Sequence, residues 1–230
     1  MFFFLYKSRK HFNHLCIISI FMLFCTIDLY GHAKISPIDR TRFWEIINNS
    51  IQDTPQNTKE VFKENLKSLN SGEVLQFSII LNMYTERTKF PAMEMAFNLI
   101  NGSLINNNLA DNNFQERDFY FFSCWVISQG EDIYFEALKN PDILANIDVK
   151  RGEGKFWGYD IVLNEFFEES NPMELIDYVL SDDQLSEIDR GTIFDEDKYH
   201  IDYKEFYNLL PKELPKLYEK YWDEIIQEKE

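Results

Sequence analysis

The segment from Glu116 to Gln129, "ERDFYFFSCWVISQ", constrains this chain more than any other. At helical spacing Phe119, Phe122, Trp125 and Val126 fall on one side, and Phe121 and Cys124 widen that side. A helix this broadly apolar has to be enclosed by other elements. Gly130 ends it, Glu131 to Leu138 forms the next helix, and Asn140-Pro141 opens a short turn through Leu144. The crowded aromatic rings read as the centre of a core rather than as a reactive site.

The remaining segments supply partners of the same type. "SPIDRTRFWEIINNS" opens at Ser36 and Pro37, a favourable helix entry, and carries Phe43, Trp44, Ile46 and Ile47 on one face. Polar "QDTPQN" breaks it. The next stretch holds two helices. Val61, Phe62, Leu66 and Leu69 point inward on the first; Ser71 caps the second, whose apolar residues run from Val74 to Tyr84. "FPAMEMAFNLING" is a short helix ending at Asn101-Gly102, and the asparagine-rich "SLINNNLADNNF" is a turn-prone surface loop. "VKRGEGKFWGYD" gathers three glycines around basic residues but lacks the spacing of a phosphate loop. Ile161 to Phe167 reads as helix, Pro172 begins another, and the tail has Leu214, Leu217, Tyr218, Tyr221, Trp222 and Ile225 on one face. No strand-like alternation persists. The expected fold is all-α or mainly α, a multi-helix single domain over residues 34–230.

The first 33 residues read differently. Lys7, Arg9 and Lys10 precede a nearly unbroken apolar run from Leu15 to Ile27, and Gly31 and Ala33 are spaced as before a signal-peptidase cut. The run is short for a membrane span, which needs about 20 residues. Cleavage after Ala33 and export to the periplasm or beyond is the expectation; the alternative is an uncleaved anchor, which the apolar "MFFFLY" start favours. The full chain carries 23 basic and 39 acidic residues, a net charge of -16. Removing three basic residues and Asp28 leaves 20 against 38, a balance of -18. Such a surface disfavours nucleic acids and peripheral binding to anionic membranes, unless the leader stays as an anchor, and fits a basic protein partner or a divalent cation. Cleavage also removes His11, His14, His32, Cys16 and Cys25. His200 and Cys124 then stand alone, which leaves no intramolecular disulfide and no His/Cys zinc site.

"FWEII" at Phe43 to Ile47, then "NLING", then "DFYFFSCWVISQGEDIYFEALKNPDIL" resemble the bacterial family DUF4240. That family has a Phe-Trp helix, an I-N-G segment, a core of the form F-x-x-F-R-x-W-L-I-x-x-G and an ending A-L-x-x-P-D-x-L. Here the core falls on Phe119, Phe122, Trp125, Val126, Ile127 and Gly130, and the ending on Ala137, Leu138, Pro141, Asp142 and Leu144. The resemblance runs from about Asp39 to Leu144 and at its widest takes in the Phe156 to Phe167 helix. It implies no activity. The chain departs from the family's "G-G-C-S-D-D-G-F" run, having a long insertion after Gly102 and then Glu116, Arg117 and Asp118; Ser123 stands at the family's arginine.

Two functions follow as expectations. The first is a non-enzymatic exported binding protein whose acidic surface meets another protein, with Trp157 in "GEGKFWGYD" as a contact. The second is carboxylate- and metal-assisted hydrolysis using Glu116 or Asp118 with Glu131 or Asp132. Glu131 and Asp132 also suit the first turn of a helix, where the dipole favours negative charge. Asp195, Glu196 and Asp197 lack the order of an EF-hand loop. Cys124 reads as a buried small hydrophobe, with His200 its one possible imidazole partner. No cofactor is implied.

Overall fold

A computed structural model describes residues 38–102, 112–169 and 206–227, all within one unit, Pro37–Glu230. The leader, residues 103–111 of the asparagine-rich segment, the Pro172 helix, His200 and the Asp195–Asp197 run lie outside the described residues; Asn112 to Phe114, expected in that loop, are helical instead. The elements are α1 (Arg40–Ser50), α2 (Pro55–Lys67), α3 (Ser71–Arg87), α4 (Pro91–Asn101), α5 (Asn112–Ile127) and α6 (Glu131–Lys139). A 3-10 turn follows at Pro141–Asn146, then α7 (Gly158–Glu169), α8 (Phe206–Glu213) and α9 (Pro215–Gln227). Among the described residues there is no strand.

Helix entries are set by side chains that accept the free N–H groups of a first turn. Asp39, not Ser36, caps α1 by accepting the Arg42 N–H at 2.8 Å. The polar break before α2 is shorter than its sequence suggests, because Thr54 caps the helix and Pro55 opens it. Asn70 rather than Ser71 caps α3. Its Oδ1 accepts the Glu73 N–H at 3.0 Å while Glu73 Oε2 accepts the Asn70 N–H at 2.9 Å, a reciprocal capping box. Gly130 begins α6 rather than ending α5, with φ of 96°. A Cβ there would stand 3.1 Å from Asn48 Oδ1 as well as strain the backbone. Pro215 splits the tail into α8 and α9.

The core is organised around α5. Every residue from Phe121 to Ile127 is buried, as is Phe119. α3, α4 and α6 pack against it, while α2 bridges α1 and α7. Phe43, Phe77, Tyr84, Trp44 and Tyr134 form a chain of ring contacts between α1, α3 and α6, with centroids 4.7 to 5.3 Å apart. Burial of this aromatic area stabilises the packing of the three helices. Ser123 is buried on α5. It donates to the Phe119 carbonyl and lies 2.6 Å from Thr88 Oγ1. The Ser123 hydroxyl is thus satisfied inside the core.

Candidate functional site

The glycine-rich segment after the 3-10 turn folds back over α4 and α5. The Gly152 N–H bonds the Ile100 carbonyl at 2.8 Å, and the Phe156 N–H bonds the Phe121 carbonyl at 2.9 Å. Gly154 passes so close to Ile100 that a Cβ would come within 2.5 Å of its Cγ2. Gly158 leaves room for the Phe156 ring, which would otherwise lie 2.3 Å from a new Cβ. Phe156 plugs inward against Tyr159, centroids 4.7 Å apart, and so turns its neighbour outward. Trp157 is 55% exposed and rests edge-on against Phe121. Ile161, one helical turn on, is also exposed, and the Arg117 guanidinium covers the Phe121 ring at 5.3 Å. Trp157, Ile161 and Arg117 thus form one outward patch on a fixed base.

The acidic candidates do not share a site. Asp118 is tied to Lys155 in an ion pair, both side chains being largely covered, and Glu116 is exposed. Glu131 is tied to Arg40 at 2.9 Å, and that guanidinium also stacks on Phe135 at 4.4 Å. Asp132 is exposed beside it. From Asp118, near the middle of α5, to the end of that helix the axis advances about 14 Å, so Glu131 and Asp132, which follow its end, stand apart from Glu116 and Asp118. Glu131 and Asp132 do line an open depression with Asn48, Ile51, Gln129, Gly130 and Ile133. Among the described residues no three His, Cys, Asp or Glu side chains are placed to hold a metal ion.

Cys124 is fully buried. Burial pushes its thiol up to about 12, against the opposing pull of a hydrogen bond with Tyr120. Burial also raises Tyr159 well above the ordinary phenol range. Nucleophilic chemistry needs a thiolate, and this site suppresses it. The native thiol is expected to resist iodoacetamide at pH 7.5 over hours and to react within minutes in denaturant. An unfolded cysteine releases its proton near pH ~8.5, whereas the folded thiol holds it to about 12. Between those values the unfolded state binds fewer protons, so stability falls as pH rises, by up to about 1.4 kcal/mol per pH unit. Urea midpoints at pH 8 and pH 10.5 should show this loss, and a Cys124→Ala chain should show less of it.

Asp142 has a role that sequence reasoning missed. Its carboxylate accepts the Lys216 N–H at 3.0 Å and the Leu217 N–H at 2.9 Å, capping α9 from the 3-10 turn. Lys220 Nζ donates to the Ala145 and Ile147 carbonyls, and the Tyr221 hydroxyl to the Val149 carbonyl at 2.8 Å. Leu214, Leu217 and Tyr221 are buried beneath these bonds, while Tyr218 and Trp222 stack half-buried, centroids 4.6 Å apart. The pattern P-D-x-L therefore has a structural purpose at Asp142. Trp44 and Trp125 are core residues, as their spacing implies.

No described helix is long and apolar enough to cross a membrane. The family model described as "Protein of unknown function (DUF4240)" matches residues 38–169, which takes in α1 to α7. No curated protein and no solved structure matches the chain.

Proposed function

This chain belongs to the DUF4240 family, and from that premise we propose that it is a non-enzymatic binding protein that acts outside the cytoplasm and engages a basic protein through the Trp157 patch. One observation carries the reading: Trp157 is 55% exposed although the residues on either side of it are buried. Tryptophan and arginine dominate the energetics of protein interfaces, and here both sit on a rigid base beside Ile161. The net charge of -16 adds long-range attraction for a basic partner. Hydrolysis by paired carboxylates draws no support from Asp118 and Glu131, since each is engaged with a cation.

The test compares wild type with Trp157→Ala and Ile161→Ala by affinity capture from an envelope extract, with equal melting temperatures as the control. A basic protein retained by wild type and weakened at least tenfold by Trp157→Ala is the expected result. Identical captured sets for all three chains would overturn the proposal. Raising the salt concentration should slow association more than it speeds dissociation.

A further inference from the structure

Asn101-Gly102 is the one Asn-Gly pair in the chain. Asparagine is a chemically labile residue, and a following glycine offers no side chain to hinder attack on its amide. The reaction consumes only water. The Gly102 nitrogen bonds to Asn101 Cγ, Nδ2 leaves with the backbone amide proton as ammonia, and water opens the five-membered ring to aspartate or β-linked isoaspartate. The fold engages both nitrogens that this reaction uses. Asn101 is the last residue of α4, and ring closure requires it to leave helical geometry. Gly102 caps that helix at φ 73° and donates its N–H to the Asn98 carbonyl at 3.0 Å. Asn101 Nδ2 donates to the Gly154 carbonyl at 3.2 Å. The glycine-rich segment closes over the pair. A Cβ on Gly102 would stand 2.7 Å from Arg151 Nη2, and one on Gly154 would stand 3.3 Å from Asn101 Nδ2. The Gly152 N–H fastens this segment to the Ile100 carbonyl.

We propose that Asn101 is a deamidation site that the folded chain holds shut, so that its conversion marks chains in which the junction between α4 and the glycine-rich segment has opened. The mark is one-way. Aspartate at position 101 has no donor for the Gly154 carbonyl, and isoaspartate adds a backbone atom at the helix end, so neither product rebuilds the junction as it was. The segment loosened in this way is the one that presents Trp157. The inference rests on the bonds of Asn101 and Gly102 alone and stands whether or not Trp157 meets a partner.

The experiment incubates the full chain at mildly alkaline pH, in buffer and in urea above the unfolding midpoint. Peptide mapping by mass spectrometry follows the amide-to-acid mass gain at Asn101. Conversion should be at least tenfold slower in the folded chain; equal rates would overturn the proposal. Gly154→Ala tests the part played by the covering segment, since the new Cβ would come within 2.5 Å of Ile100 Cγ2 while Asn101 and Gly102 stay unchanged. Should that variant lose its fold by circular dichroism, Lys155→Ala, which unties the same segment from Asp118, takes its place. The folded variant should convert faster than wild type in buffer, and an unchanged rate would count against the segment as the guard. Asn101→Asp stands in for the aspartate product. Its Gly152 amide should exchange hydrogen faster than in wild type; equal exchange would refute the one-way mark.

Discussion

Trp44→Ala is expected to cost about 3–5 kcal/mol of stability, among the largest losses for a single change in this chain. Trp44 is 1% exposed and touches the rings of Phe43, Tyr84, Tyr134 and Phe135, with centroids 5.1 to 5.7 Å away. Those neighbours belong to three helices, α1, α3 and α6, so no single shift can refill the space. The indole Nε1 also donates to the Tyr84 hydroxyl at 3.3 Å, a long bond of modest strength. Loss of packing therefore outweighs loss of the bond. Trp44→Phe, which keeps a ring and removes the donor, should cost less than half as much. Chemical denaturation of the three chains measures this; equal losses for Ala and Phe would show that the hydrogen bond, not the cavity, dominates.

Asp142→Ala is expected to cost about 2–4 kcal/mol and to act locally. The change exposes two first-turn N–H groups of α9 without offering them another acceptor. Asp142→Asn keeps one acceptor oxygen of similar shape and should cost about half as much. Hydrogen exchange separates this from a general loosening. Amides of Lys216, Leu217 and the rest of α9 should exchange faster, while those of Phe121 to Ile127 keep their protection. Uniform acceleration across both helices would instead tie α9 to the stability of the whole.

The helices were legible in the sequence wherever burial follows a helical period. Phe43, Trp44, Ile46 and Ile47 on α1, and the broad apolar girth of α5, predict their own burial. Errors fell at the ends, where one side chain decides. The spacing Asn70 to Glu73 is a capping-box signal, but serine at the next position competes for the same reading. The exposed setting of Trp157 was legible only in part: glycines on both sides hinted at it, yet the direction depends on Phe156 filling the pocket below. Asp142 was not legible at all, because its partners lie 74 and 75 residues away. The pairs Arg40 with Glu131 and Lys155 with Asp118 are hidden for the same reason, being created by chain reversal rather than by local pattern.

The long reach of Asp142 also sets a schedule. Leu217 is made 75 residues after it, which at about 5–20 residues per second is roughly 4–15 s of synthesis. Throughout that interval the newly made α4 and the turn around Asp142 have no α9 to cover them. A nascent chain must therefore pass through a stage in which an apolar floor and an acceptor for two amides face the crowded solution, and holdase chaperones that shield such surfaces have their opening then.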